Sequence, residues 1–379
     1  MKIKWVIFAV LVVVLILVMN PGSKAVNTRE VDNVRKKEVL DNSDLKIIDD
    51  FLAEAIQELV RTRDFTSIAQ LRTVILSRQS TQSQQGQYAQ QFSESARRYI
   101  AQGFLDAQKL PRQERITGVT INLLILVDGL KDLGLADQTI PMLKNENMII
   151  RYWAVHSLTN PDIITQLNAA ANSNQASVLA AEFTEILDTS TPEIIALIAQ
   201  FAASVKIPQA EQLLCQIADI RIKRYADWTV KYELYDSAIL KYLSSKIPTA
   251  SRSSGTTSST SAASKAAVAR SFAQLYSYAI QRYVKGADIL NNTQKSHLTS
   301  VLADIEEKCI STLLKPQLTI RRALERNSLP AILAEHDRLL GSATTPGELP
   351  QTLKFDYSTN PDGPKLTAPI PLPDPPAKK

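Results

Sequence analysis

Residues 137–160 read DQTIPMLKNENMIIRYWAVHSLTN and form the most specific structural pattern in the chain. The second half of this stretch places Ile150, Ala154 and Leu158 four residues apart, the spacing that puts side chains on one face of an α-helix. The polar run 145–147 precedes that helix, and the small side chain of Ala154 lets a neighbouring helix approach closely. The spacing therefore predicts that the second half of the stretch forms a helix.

The same residues resemble a HEAT repeat, in which a short helix ends at a polar turn and a second helix opens with an apolar residue and an arginine. Ile150-Arg151 matches that opening, Ala154 and Leu158 stand at the offsets that face the core, and Asn160-Pro161 ends the unit. The resemblance covers 137–160 and implies an α-solenoid whose long face suits protein partners. Later segments keep the pairing without the apolar-arginine signature, namely 162–171 with 175–187 and 191–205 with 208–220.

Apolar spacing elsewhere in the chain favours the same class. Apolar residues recur three and four positions apart, as in Leu45, Ile48, Leu52, Ala55 and Leu59. The 11 glycines are too few for an all-β chain with many tight turns. We therefore predict an all-α protein of helical-hairpin repeats, with a smaller C-terminal helical unit and a disordered proline-rich tail.

Composition divides the chain after residue 25 into five parts. Residues 26–43 are an exposed polar lead, and residues 44–246 form the helical-repeat domain. Residues 247–265 are a flexible connection, because they are mostly Ser, Thr, Ala and Gly, which are too small and polar to form a core. A C-terminal helical unit spans 266–341. Nine of the 18 prolines lie in the tail, residues 342–379, which is expected to be disordered and to sample extended polyproline conformations.

The first 25 residues have the pattern of a secretory signal peptide. Lys2 and Lys4 precede an apolar run from Trp5 to Met19, and small residues lead to an expected cleavage before Val26. The alternative is an uncleaved short anchor, although this run is shorter than the roughly 20 residues that a membrane-spanning helix needs. Both forms place the body outside the cytoplasm, as a periplasmic or secreted protein or as a membrane-anchored one facing outward.

Charge argues against nucleic acid as a partner. The formal net charge of +5 includes Lys2, Lys4 and Lys24, so the chain without its first 25 residues carries +2 (5 − 3). The basic run 35–37 is flanked by acidic residues and forms no extended basic patch. We expect protein partners, no nucleic acid, and membrane contact only through an uncleaved N-terminal segment.

The sequence contains no motif for catalysis, cofactor binding or metal binding. Its three histidines belong to no HExxH motif, and neither CxxC, GxSxG nor a glycine-rich phosphate loop occurs. The pair His336-Asp337 is expected to be solvated. Cys215 and Cys309 are expected to be buried thiols, with a disulfide between them as the alternative. We predict a protein without catalytic, cofactor-binding or metal-binding residues, and not an enzyme.

Aromatic side chains form the candidate interaction surface. They recur at helical spacing on both sides of the connection, at Tyr225, Trp228, Tyr232, Tyr235, Tyr242, Tyr276 and Tyr283. Aromatic faces on an exported protein can stack on sugars or peptides. The favoured interpretation is that both stripes are core, because such spacing is typical of packed helices. The helix ending near Leu243 and the one beginning near Ala267 would then lie antiparallel, with Tyr235 and Tyr242 opposite Phe272 and Tyr276.

These features favour a non-catalytic protein-binding or scaffolding module of the cell envelope. Two alternatives belong to other classes. One is an enzyme of helical fold, such as a carbohydrate-active one with two carboxylates facing a cleft. The other is a structural envelope protein held by its N-terminus.

The N-terminal pattern makes a direct prediction about location. An alkaline phosphatase fused after Lys379 should be active, because the body is exported, and a reporter that works only in the cytoplasm should be silent. Mass spectrometry of the purified protein should find an N-terminus at Val26 if the segment is cleaved. The reverse pattern of reporter activity would contradict export.

Overall fold

The structure is a computed structural model in which residues 26–79, 86–247, 259–358 and 364–376 are described. The predicted signal segment and residues 248–258 of the predicted connection lie outside these ranges. The chain is 75% helical and its described part contains no β-strand, which confirms the all-α class. Within the same ranges, no helix combines the length and the apolar character that crossing a membrane requires.

Residue contacts divide the chain into two compact units, one up to Ser157 and one from Leu158 onward. Composition had instead placed the division at the Ser/Thr-rich connection. The helices on either side of that connection pack against each other, so both belong to the second unit.

Unit 1 is built around a long helix pair. Its α-helices are α1 (Arg29–Val34), α2 (Asn42–Arg61), α3 (Phe65–Leu76), α4 (Gly86–Gln108), α5 (Gln113–Leu130), α6 (Ala136–Thr139) and α7 (Met148–Leu158), the last of which ends at the first residue of unit 2. Asp49 on α2 ties α2 to α4, because its carboxylate accepts hydrogen bonds from Ser95 (2.6 Å) and Tyr99 (2.7 Å). Asp41 begins α2 with a capping box that also involves Asp44.

The HEAT-like stretch folds as one α-helical turn (α6), a 3₁₀ turn over Ile140–Lys144, and α7. Ala154 is fully buried, as expected for a residue that faces a core. The Arg151 guanidinium donates to the backbone carbonyl of Asn145 at 3.0 Å and fixes the polar turn. The first helix is shorter than the resemblance implies because Pro141 has no N–H with which to continue the α-helical pattern.

Unit 2 surrounds one long central helix, α13. Its α-helices are α8 (Pro161–Leu167), α9 (Ser173–Ile186), α10 (Pro192–Ser204), α11 (Gln209–Ala226), α12 (Leu234–Lys246), α13 (Ser259–Lys285), α14 (Asn292–Ile305), α15 (Ser311–Leu313), α16 (Thr319–Glu325), α17 (Leu329–Leu340) and α18 (Glu348–Leu353), with a π-helical turn over Glu306–Ile310. Helices α11, α12, α14, α17 and α18 all contact α13. Residues 271–282 are consequently buried without interruption.

The first aromatic stripe does not lie on one helix, contrary to the sequence prediction. Helix α11 ends at Ala226 and α12 begins at Leu234. The loop between them contains Trp228 and Tyr232, both in the left-handed region with φ of 56° and 54°. The stripe is therefore broken into a helix end, a loop and a second helix.

A buried ion pair between Arg221 and Asp236 explains this break. The Arg221 Nε and Nη2 atoms donate to the Asp236 carboxylate at 2.6 and 2.8 Å, and the Tyr225 hydroxyl donates to it at 2.7 Å. Both charged side chains are almost fully buried, at 1% and 0% exposed. Burial lowers the pKa of Arg221, but the Asp236 carboxylate outweighs this and holds the pKa above its usual value. The chain must therefore turn back between α11 and α12 to bring Asp236 onto Arg221.

The helices on either side of the connection, α12 and α13, do pack against each other. Tyr276, however, is directed to a third helix: its hydroxyl donates to the Leu302 carbonyl of α14 at 3.2 Å. Its ring stacks on Phe272 at a centroid distance of 6.2 Å. The second aromatic stripe thus contributes to the core of unit 2.

The proline-rich tail is ordered over its described residues, contrary to the expected disorder. After α17 the chain turns at Gly341, whose φ of 108° suits glycine, and Thr367 donates to the Ser342 carbonyl at 3.0 Å. The Tyr357 hydroxyl donates to the Leu340 carbonyl at 2.8 Å. Residues 364–376, the tail segment, then lie along α13 through hydrogen bonds to its side chains. Proline prevents helix formation, but it does not prevent docking in an extended conformation.

The Arg221–Asp236 pair should be essential to unit 2. Asp236→Ala leaves the Arg221 charge buried without its partner, so we expect the free energy of unfolding to fall by about 3–5 kcal/mol. Adding Arg221→Met should recover part of that loss, because the uncompensated charge is removed. Urea unfolding measures both changes.

A surface pair supplies the control for that measurement. Asp106→Ala breaks the exposed pair with Lys109 and should cost less than about 1 kcal/mol. Equal losses in the single Asp236 variant and the double variant would contradict the role assigned to the buried charge.

Candidate functional site

Four side chains of unit 2 form a groove that holds the tail segment. Gln274, Gln281 and Lys285 lie on α13, and Trp228 comes from the loop between α11 and α12. We call these four residues the tail groove. The two glutamines are seven positions apart, which is close to two helical turns, so both project toward the same side of α13.

The tail groove binds the backbone of the tail segment. Gln274 forms two hydrogen bonds with Ile370: its Nε2 donates to the carbonyl and its Oε1 accepts from the N–H, both at 2.9 Å. Gln281 Oε1 accepts from the Leu372 N–H at 2.8 Å, and the Lys285 Nζ donates to the Leu372 carbonyl at 2.6 Å. These contacts hold two alternate non-proline residues through both the N–H and the C=O of the main chain, a combination that every residue except proline offers.

The end of the tail segment makes two further contacts. The Trp228 indole N–H donates to the Pro373 carbonyl at 3.1 Å. Lys285 also pairs with the Asp374 carboxylate at 2.8 Å, where the aspartate side chain is 87% exposed. This ion pair is worth little by itself because water screens it. Together the contacts run from Gln274 to Lys285 in the order of the tail, so the segment runs in the same direction as α13.

Within residues 364–376 the buried residues are Pro369 and Leu372, which lie three positions apart. Ile370, Pro371, Pro373 and Asp374 are exposed. Three residues per turn is the period of a polyproline II helix, which has no internal hydrogen bonds and leaves its backbone free for outside partners. The buried side chains of the segment therefore pack against unit 2, while its backbone N–H and C=O groups bind the side chains of the tail groove.

Buried Arg282 supports Trp228. Its guanidinium lies 5.1 Å from the centre of the Trp228 ring and 5.8 Å from that of Tyr225. Its Nη2 atom is 3.4 Å from the Glu233 carboxylate, and its side chain is 4% exposed. Cation–π contact with a buried cation holds the indole in place against Pro373.

Beneath the tail groove, a polar chain runs through Gln281, Ser277, His336 and Asp337. Gln281 Nε2 donates to Ser277 Oγ at 2.8 Å. Ser277 Oγ is 2.8 Å from His336 Nε2, and His336 Nδ1 is 2.9 Å from the Asp337 carboxylate. The polar chain thus connects the tail segment to an exposed carboxylate.

The Leu372 N–H fixes the direction of the hydrogen bonds at the tail end of the polar chain. The Leu372 N–H only donates, so the Gln281 oxygen faces the tail and its NH₂ faces Ser277. A neutral His336 that donates from Nδ1 to the Asp337 carboxylate accepts the Ser277 proton at Nε2. The surroundings of His336 favour this neutral form. Burial lowers its pKa, and the bond to Asp337 offsets this only in part.

His336 is buried, and the expectation that His336-Asp337 would be solvated is wrong for the histidine. It is 6% exposed, because α17 packs against α13 at this point. The order Ser277–His336–Asp337 is that of a nucleophile, a base and an orienting acid. Ser277, however, is 0% exposed on the inner face of a helix, so its hydroxyl cannot meet a substrate in this arrangement.

The seven aromatic residues predicted from the sequence are not brought together. Tyr225 and Tyr276 are fully buried. Tyr232 is 55% exposed and lies 6.4 Å from the ring of Tyr235, away from the α13 contacts described above. Tyr242 and Tyr283 are half-buried. Trp228 alone belongs to the tail groove.

Sequence reasoning missed Gln274, Gln281 and Lys285. Their polar side chains on an otherwise apolar stretch of α13 were a signal, since residues 272–280 supply much of the core. A glutamine in such a position needs a hydrogen-bond partner. The strict alternation of proline with Ile370 and Leu372 was the complementary signal in the tail.

Among the described residues, neither a metal-binding cluster nor a redox-active thiol belongs to the tail groove. In the part of the chain that the structure describes, no three His, Cys, Asp or Glu side chains are grouped to hold a metal ion. Cys215 and Cys309 are free thiols, so the alternative of a disulfide is not realised. Burial raises the pKa of Cys215 to about 11, which keeps the thiol protonated and unreactive.

A second concavity lies in unit 1, between α2 and α4. It has a volume of about 530 Å³ and includes Ile56 and Gly103 at its apolar base, with Glu54, Arg61 and Lys109 among its polar lining. Positively and negatively charged side chains alternate in this lining, so they favour neither an anionic nor a cationic ligand. The tail groove is the better-defined site because its side chains form specific hydrogen bonds with a bound segment.

Comparison with known proteins gives no relative. No family model matches the chain, no curated protein is significantly similar to it, and no solved structure matches it. Similarity therefore supplies neither a family nor a function.

The buried histidine predicts a specific dependence of stability on pH. The folded-state pKa of His336 lies below its ordinary value of 6.5, so the unfolded chain takes up the proton first as the pH falls. The free energy of unfolding should therefore decline as the pH falls below about 6.5, down to the folded-state pKa.

In the variant His336→Gln, the free energy of unfolding should not show the part of the decline with falling pH that comes from His336. Urea unfolding of both proteins between pH 8 and pH 5 measures the difference. Parallel pH dependences for the two proteins would show that His336 is not held neutral by burial.

Proposed function

We propose that this chain is a non-catalytic protein-binding or scaffolding module of the cell envelope, and that its tail groove holds an extended protein segment. The observation that carries the proposal is the set of side-chain hydrogen bonds from Gln274, Gln281 and Lys285 to a peptide backbone. Such contacts give affinity for an extended segment without any chemical step, as in other modes of peptide recognition.

The helical architecture supports a binding role. Consecutive short helices from α8 to α11 continue the pairing that the HEAT-like stretch 137–160 begins, so we propose a HEAT-like repeat body. Repeat bodies bury their cores between neighbouring pairs and leave long surfaces free for partners. A signal peptide or short anchor at residues 1–25 would bring this body to the outer side of the membrane, where its partners are expected.

An enzyme of helical fold is the second candidate, and the Ser277–His336–Asp337 arrangement favours it. The distances of 2.8 and 2.9 Å match those of a hydrolase triad. This candidate ranks second because Ser277 is fully buried and its Oγ already accepts from Gln281. A fluorophosphonate probe that labelled Ser277 in the folded protein would reverse the order.

A full-length variant tests the binding role. Ile370→Pro with Leu372→Pro removes both N–H donors that the glutamines accept from, while the tail keeps an extended conformation. We call this protein the released variant. A fluorescent peptide of residues 364–376 should bind the released variant saturably, as measured by fluorescence anisotropy, because the groove is no longer filled by the chain's own tail.

Matched variants show whether the groove is responsible. Adding Gln274→Ala to the released variant should weaken peptide binding about tenfold, because two hydrogen bonds are lost. Gln90→Ala, on an exposed face of α4, should leave binding unchanged. A folded released variant that binds no peptide at all would contradict the proposed function.

A further inference from the structure

We infer that the tail groove selects partner segments in which proline alternates with apolar residues and an acidic residue follows, and that the chain's own tail segment competes with them from within the molecule. This inference rests on the proposed function and specifies the class of ligand. The tail segment supplies the pattern, Pro369-Ile370-Pro371-Leu372-Pro373-Asp374.

Proline fits this groove because of where the hydrogen-bond acceptors lie. The groove accepts from the N–H groups of residues 370 and 372 through its two glutamines. Residues 369, 371 and 373 are prolines, which have no N–H to satisfy. Each proline also restricts the free segment to extended conformations, so less freedom is lost on binding. Replacing the prolines should therefore weaken binding without removing a hydrogen bond.

Leucine is selected by burial. Leu372 is 1% exposed, and its neighbour on the same edge, Pro369, is also buried. Ile370 is 50% exposed although both of its backbone groups are bonded to Gln274. The groove should thus require an apolar side chain at the position of Leu372 and tolerate any side chain of moderate size at the position of Ile370.

Lys285 favours one direction of the segment. It is the last residue of α13 and contacts both the Leu372 carbonyl and the Asp374 carboxylate. A segment bound in the opposite direction would place its acidic residue near Gln274, which carries no charge. The acidic residue therefore adds a small preference for one direction of the ligand, and its contribution should decrease as salt concentration rises.

The tail segment competes effectively because it is part of the same chain. A segment tethered near its site has an effective concentration in the millimolar range. A free partner segment of the same sequence must displace it, so the wild-type protein should bind added peptide more weakly than the released variant does. The groove is thereby reserved for partner segments that are abundant, multivalent or better matched than the tail.

Anisotropy with five labelled peptides tests the selection in the released variant. The reference peptide has the sequence of residues 364–376. We expect about tenfold weaker binding when alanine replaces the prolines at 369, 371 and 373, and loss of measurable binding with Leu372→Asp. A peptide of the same residues in reverse order should also bind at least tenfold more weakly, whereas the matched control peptide Ile370→Val should bind like the reference.

Competition is tested with the wild-type protein and the reference peptide. We expect the wild-type protein to bind the peptide at least tenfold more weakly than the released variant does. The control Lys365→Pro, which adds a proline at an exposed tail position, should bind the peptide as weakly as the wild type. Equal affinities for the reference, alanine and reversed peptides would overturn the selection while leaving the proposed function intact. Absence of binding by every peptide would overturn both.

Discussion

The buried ion pair between Arg221 and Asp236 sets the path of the chain at the centre of unit 2. An arginine and an aspartate that are both shielded from water must satisfy each other, because an unpaired buried charge is very costly. The two residues lie on successive helices, so the chain between them has to reverse within a few residues. Two non-glycine residues in that loop, Trp228 and Tyr232, adopt left-handed backbone conformations as a consequence.

That reversal also creates the tail groove. Trp228 leaves the helical path of α11, packs over the Arg282 guanidinium and directs its indole N–H to the Pro373 carbonyl. Had the aromatic stripe continued as one helix, the indole would have stayed on that helix and the groove would lack its donor from the loop. A pair that stabilises the core thus also positions a binding residue.

The sequence predicted the helices well and the site poorly, for physical reasons that particular residues illustrate. Helical periodicity is a local property, so helices such as α2 and the burial of Ala154 could be read from spacing. The break at Trp228 could not, because it is imposed by an ion pair between Arg221 and Asp236, two residues that do not belong to the aromatic pattern. The tail was misjudged because its prolines exclude helix, whereas docking depends on the tertiary hydrogen bonds of the buried Gln274 and Gln281, which cannot be read from sequence. His336 was placed in solvent for the same reason: its burial is a tertiary contact between α13 and α17.

Side-chain amides on a helix suit the recognition of proline-rich segments. A sheet edge binds an extended peptide through a row of backbone hydrogen bonds, and proline cannot supply its half of that row. The described part of this all-α chain offers no such edge, yet a glutamine carries a donor and an acceptor on one group and can pair with a single residue, as Gln274 does with Ile370. Two glutamines along α13 therefore bind the residues that have an N–H group, and they require no N–H donor from the neighbouring prolines. The polar chain from Gln281 through Ser277 to His336 fixes the orientation of one of these amides, so a buried histidine with no access to substrate still contributes to how the groove meets a peptide.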